Sequence, residues 1–311
     1  MDYLSIIVPK LINLLLLLLL GVFAVKIHVL TESSLKILSD LLMKIILPIL
    51  SFNLLLQQKV TFFDLISLRG MVLWQLAIYP LAALVGLVFV RLGKMKYPQS
   101  NVHLGCMVSG NYAYVVLPLI YALYEGTRAT IYIPLGCSLE ALVIWTFGIT
   151  LFTWGQGHQG FGSLKKVLNP FTFAVLAGFL FNTLNLSLPP ILTDTINQVG
   201  MTSTPLGMIY LGASLCFMNW GSLANLEHAL MYVAGKMIIV PILIYLAARN
   251  FLPEAESIVL MLTAASPSMT IAVMVSREYG LDADYATEIV SVSTLACAVT
   301  IPILFLCVGA L

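Results

Sequence analysis

The stretch SGNYAYVVLPLIYALYEG, residues 109–126, decides how this chain is read. It lies inside an apolar run of membrane-spanning length, yet it holds a glycine, an asparagine and a proline. Within a bilayer every backbone N–H and C=O has to be paired internally, so Pro118 removes a needed donor and Gly110-Asn111 offers an exit from helical geometry. The run reads as a helix built to break.

The surrounding chain supports a membrane setting. Soluble domains carry about 25% charged residues, whereas these 311 residues are 9% charged and 60% hydrophobic, with a mean hydropathy of +1.01. The formal net charge of +1 comes without a polybasic tract, which excludes a nucleic-acid partner as the organising function. The five cysteines, Cys106, Cys137, Cys216, Cys297 and Cys307, fall in apolar segments without a C-x-x-C pair, so neither a disulfide framework nor a zinc site is indicated. The leucine run 14–20 belongs to an apolar segment reaching from about residue 4 to 25, long enough to span and without a convincing cleavage site after it. It reads as a retained first span.

At about 20 residues per span, the chain divides into segments at 4–25, 37–57, 70–90, 102–124, 129–153, 170–188, 191–218, 229–248, 256–276 and 285–310. The predicted fold is an all-α membrane protein of ten transmembrane helices. GQGHQGFGSLKK at 155–166 is the longest polar interruption, and it separates five spans from five: residues 1–154, a linker at 155–168, and residues 169–311. Loops after odd-numbered spans hold Lys26, Lys36, Arg91, Lys94, Lys96, Lys165, Lys166 and Arg277; the opposite loops hold Lys59, Arg69, Arg128 and Arg249. The positive-inside rule then puts the linker in the cytoplasm and both termini outside, most simply at the plasma membrane.

An odd number of spans per half makes any repeat between the halves inverted across the membrane. Pro9, Pro48 and Pro80 answer Pro170, Pro205 and Pro241, and YEG at 124–126 answers EYG at 278–280. Aligning those glycines sets Asn111 opposite Ala265, beside SPSMT at 266–270. Ser266-Pro267 has the form of a helix start, Ser as N-cap and Pro in the first turn, and Asn111 is likewise a favoured N-cap. The fourth and ninth spans are therefore expected to be pairs of half-helices, whose free N–H groups and positive dipole ends favour an anion at mid-membrane. The candidate substrate-binding residues are Gly110, Asn111, Tyr112, Ser266, Pro267 and Ser268.

At these residues the chain resembles the auxin efflux carrier family, which is related in fold to the bile acid–sodium symporters. Gly110, Asn111, Leu117 and Pro118 match a G-N-x-G-x-x-G-L-P-like pattern. YALYEG at 121–126, NP at 169–170, TPLGMIYLGASL at 204–215 and REYGLDADYATEIVSVSTL at 277–295 echo further marks of the family. The resemblance implies two inverted five-helix repeats, with broken fourth and ninth helices crossing around a carboxylate substrate such as an auxin-like acid, malate or malonate. Ala113 and Val116 stand where the pattern has glycines, which narrows the expected cavity.

Other polar residues in the spans extend the site. Glu140 lies mid-span, where a carboxylate has to be neutralised, paired or turned to a cavity. Lys44 and Lys236 either snorkel to the interface or supply positive charge to the site; with Glu140 they are the candidates for ion or proton coupling. Gln75, Asn53 and Asn219 read as interhelical hydrogen-bonding residues. GQGHQG at 155–160 matches G-x-G-x-x-G only formally, being a loop between spans, and no P-loop or H-E-x-x-H pattern occurs. No catalytic residue, cofactor or metal site is indicated. The expected function is secondary or facilitative transport of small organic anions by alternating access. The alternatives are a sodium-coupled bile-acid-type carrier, a cation–proton antiporter, and a non-transporting ligand sensor. Residues 104–124 and 257–276 contain none of the acidic residues an antiporter needs. The partners of this reading are the anion, the bilayer and a second copy of the chain as a homodimer.

Overall fold

A computed structural model describes residues 3–59, 61–124, 127, 129, 132–155, 170–217, 225–269 and 271–310. Among the described residues, helix occurs within each of the ten segments marked out by hydropathy. In order these are α1 (Tyr3–Lys26), α2 (Glu32–Leu41) with α3 (Leu47–Gln58), the short α4 (Phe62–Ser67), α5 (Arg69–Leu92), α6 (Gln99–Val108) with α7 (Leu117–Tyr124), and α8 (Tyr132–Val143) with α9 (Ile149–Phe152). After the linker come α10 (Pro170–Thr183), α11 (Pro190–Met201) with α12 (Ser203–Cys216), α13 (Leu226–Ala234) with α14 (Val240–Ala248), α15 (Glu254–Ala264) with α16 (Ile271–Glu278), and α17 (Ala283–Ala310). Four helical stretches, Glu32–Gln57, Arg69–Leu92, Leu226–Ala248 and Ala283–Val308, are long and apolar enough to cross a membrane. The linker and Asn219 lie outside the described residues.

Prolines shape the paired helices. Wide π turns at Leu42–Ile46, Tyr112–Val116 and Gly235–Ile239 each end two residues before a proline, Pro48, Pro118 and Pro241. A proline has no N–H for the carbonyl one turn earlier and its ring crowds that carbonyl; widening the turn just before it relieves both. A further π turn at Ile144–Gly148 joins α8 to α9 without a proline.

The helices associate through two long contacts. α1 lies along α12, and α10 lies along α3, which α11 also touches. The first contact is close because Gly21 sits against the carbonyl of Ile209 while Gly212 sits against that of Leu18, so that any side chain at either glycine would strike backbone. Such reciprocal glycine contacts are the membrane solution to close helix packing. Elsewhere α5 packs on α6, α14 on α15, and both α13 and α16 on α17.

Residues 101–112 and 257–268 are buried without exception, whereas Leu16, Leu73 and Leu243 on neighbouring helices are outward-facing. The two segments expected to break are thus enclosed by other helices on every side. Irregular backbone at membrane depth needs that enclosure.

Candidate functional site

The fourth segment leaves helical geometry after Val108: Ser109 is extended, and Asn111 has φ −88° and ψ 62°. The ninth leaves it after Ala264 and resumes at Ile271. Ser266-Pro267 therefore does not start a helix as its sequence suggested. The Ser266 hydroxyl instead donates back to the Thr263 carbonyl at 2.8 Å, finishing α15.

The two breaks meet. Gly110 and Ser268 form an antiparallel bridge, and the Asn111 N–H donates to the Pro267 carbonyl at 2.6 Å. The Ser268 N–H donates to Ser293 Oγ of α17 at 3.2 Å. The Gly110 N–H donates to Glu140 Oε1 at 2.7 Å, and Glu140 Oε2 accepts the Tyr79 hydroxyl of α5 at 2.8 Å. Only glycine fits at 110, because a Cβ there would fall on Ser266 Oγ and come within 2.8 Å of Glu140 Oε1. The N–H groups of Gly110, Asn111 and Ser268 are thus already engaged within the protein.

Unused capacity lies in the side chains. Asn111, 2% exposed, makes no side-chain hydrogen bond among the described residues, and its Oδ1 is a buried atom without a partner. It does not cap the following helix. Ser268 Oγ, also fully buried, has no partner in good hydrogen-bonding geometry, and the groups within its polar reach are the Tyr232 hydroxyl and the Cys106 thiol. Lys236, 1% exposed in the π turn between α13 and α14, lies within electrostatic reach of Glu140. Among the described residues the ion pair with direct contact is instead Lys44–Asp40, at 2.8 Å.

Of the residues expected at the site, Gly110, Asn111, Ser266, Pro267, Ser268 and Glu140 come together, with Lys236 near. Tyr112 is buried but turns its hydroxyl to the Tyr132 carbonyl at 3.2 Å, packing on α8. Lys44 stands apart, with an exposed side chain held by Asp40 one turn away. Gln75 does join helices, donating to the Gly136 carbonyl at 3.1 Å, and Asn53 donates to Asn197 Oδ1 at 3.0 Å.

Sequence reasoning passed over two residues that hold the junction and a buried histidine on α6. Tyr79 sits one turn after Gln75 on α5, and that polar pair was the available signal. Ser293 had none that distinguishes it from the other hydroxyls of α17. The histidine is His103, fully buried, whose Nδ1 shares a 2.8 Å hydrogen bond with the Tyr285 hydroxyl while Nε2 has no partner. A histidine inside an apolar span was itself the signal.

Residues 6–305 match the sequence model of the membrane transport protein family. The chain belongs to that family, the auxin efflux carrier type. It is therefore an integral membrane protein and a membrane transporter. No match is found among curated proteins. In this auxin efflux carrier-type transporter an apolar cleft opens between α1, the Tyr112–Val116 turn, α12 and α17, lined by Leu14, Leu18, Val115, Met208, Leu211 and Cys297. Val115 is four residues beyond Asn111, so the cleft and the polar junction share one short stretch of chain. Among the described residues no three His, Cys, Asp or Glu side chains are grouped to hold a metal ion.

Proposed function

We propose that the chain is a secondary or facilitative carrier of small organic anions, carboxylates such as auxin-like acids, malate or malonate, which binds them where the two breaks meet. The observation that carries this reading is the Gly110–Ser268 bridge, wholly enclosed yet flanked by the unpaired side chain of Asn111, by the Ser268 hydroxyl and by buried Lys236. Unsatisfied polar groups at membrane depth are costly, and a ligand that pairs with them repays that cost. Lys236 supplies the sign of charge that selects an anion.

The proposal includes the architecture: two inverted five-helix repeats, residues 1–154 and 169–311, with the fourth and ninth helices crossing at their breaks. Its support is that contacts recur when the halves are exchanged, α1 on α12 against α10 on α3, and α5 on α6 against α14 on α15. Transport then proceeds by alternating access, with α1, α2–α3, α10 and α11–α12 as one body and the remaining helices as the other. The carrier sits in the plasma membrane with both termini outside.

The test is uptake of labelled indole-3-acetate, benzoate, malate and malonate into proteoliposomes, with and without an imposed pH or sodium gradient. Saturable uptake of at least one acid, absent from protein-free vesicles, is expected. Uptake that requires sodium would favour the bile-acid-type alternative, and no uptake of any acid would remove the carrier reading.

A further inference from the structure

We propose that Glu140 is the resident carboxylate of the junction: without substrate it occupies the Gly110 N–H, and a substrate carboxylate binds by taking over that donor while Glu140 takes up one proton. The inference rests on the organic-anion reading above. A free carboxylate arriving at the bridge finds the N–H groups of Gly110, Asn111 and Ser268 in use, and the one held by a carboxylate is Gly110 N–H, 2.7 Å from Glu140 Oε1. That side chain carries the same functional group as the substrate. Like for like, one carboxylate can replace the other without disturbing the Asn111–Pro267 hydrogen bond that joins the breaks.

Exchange has a charge consequence. In the resting state of this exchange the buried Lys236 and Glu140 form a pair of one positive and one negative charge. The groups facing Glu140 are Tyr79 from α5, Tyr112 from the fourth segment, Cys137 from its own helix, and Tyr232 and Lys236 from the eighth. Lys236 is the one cation among them. Two carboxylates at one donor with one cation cannot both remain ionised in an enclosed site. A proton from solution therefore forms an O–H bond on Glu140 as the anion enters, and that bond breaks as the anion leaves. Lys236, neutral Glu140 and a bound monoanion then sum to the same charge as the resting site. Displaced Glu140 keeps Tyr79 as a neighbour, and the unpaired Asn111 side chain is left to meet the second substrate oxygen.

The test is isothermal titration of the detergent-purified full chain with indole-3-acetate, benzoate and malonate, in buffers of different ionisation enthalpy and at several pH values. Wild type is expected to take up one proton per bound monoanion at neutral to alkaline pH, and because binding consumes a proton, its Kd rises ~tenfold per pH unit over that range. Glu140→Gln is expected to take up none, to show a flat Kd and to bind ~tenfold or more tightly than wild type at alkaline pH, since no carboxylate needs neutralising. Binding by wild type without proton uptake overturns the exchange, as does proton uptake that survives in Glu140→Gln. Should Glu140→Gln fail to fold, the wild-type proton count decides alone. If wild type binds none of the three acids, while its circular dichroism and monodispersity are intact, the organic-anion reading itself falls and the exchange with it.

Discussion

A methyl group at position 110 would overlap Ser266 Oγ and press on Glu140 Oε1. Gly110→Ala is expected to separate the two breaks, lowering stability by about 1–3 kcal/mol as overpacked interiors do, and abolishing uptake; thermal unfolding in detergent and proteoliposome flux measure the two effects. Asn111→Leu should behave differently, because the Asn111 side chain caps no helix and bonds to no described residue. Its melting temperature should stay near that of wild type, while affinity for the anion falls by about 1.5–3 kcal/mol, the worth of one hydrogen bond to a charged group. Equal affinity in the two proteins, by titration, would remove Asn111 from the site. Gly110, Asn111 and Glu140 were legible in the sequence because each is a residue type that an apolar span tolerates only for a reason. The destination of the donors was not legible: that Gly110 N–H points to Glu140 and Asn111 N–H to Pro267 depends on three segments far apart in sequence meeting at one point.

Among the elements, the broken ninth segment is the one a single substitution could mend. Pro267 lies in the non-helical stretch 266–269, and its carbonyl receives the Asn111 N–H. Pro267→Ala restores a backbone donor and lets α15 run on toward α16, drawing that carbonyl into an intrahelical bond. The variant should reach the membrane and fail in transport even at saturating substrate, a loss in maximal rate and not in apparent affinity. Normal maximal uptake would show that the break is not needed. Helix positions followed from hydropathy because the apolar runs are long and separated by short polar turns. The π turns did not follow, since their cause lies in how the chain accommodates Pro48, Pro118 and Pro241, and that adjustment of hydrogen bonding leaves no mark on composition. The reading of Ser266-Pro267 as a helix start failed for a related reason. Local capping preference lost to a hydroxyl that found the Thr263 carbonyl and to a proline carbonyl wanted by the other break.

For the molecule as a whole, the distribution of basic residues expects the linker in the cytoplasm. A single cysteine at Lys165 in a cysteine-free background should react with impermeant thiol reagents in inverted vesicles and not in intact cells; the reverse pattern would invert the whole topology. The division of the sequence into two runs of five segments came from the polar stretch at 155–166, and the packing of α1 on α12 and α10 on α3 shows why composition alone says little about which helices touch. Gly21 and Gly212 are nearly two hundred positions apart, as are Leu18 and Ile209. Their meeting is a matter of shape. Because each glycine is roofed by a carbonyl from the other half of the chain, the two halves clasp each other without help from the peptide that joins them. A protease nick inside residues 155–168 would then leave a transporter of two fragments that co-purify and still work, and the continuous chain is a convenience of synthesis where the clasp is a requirement of the fold.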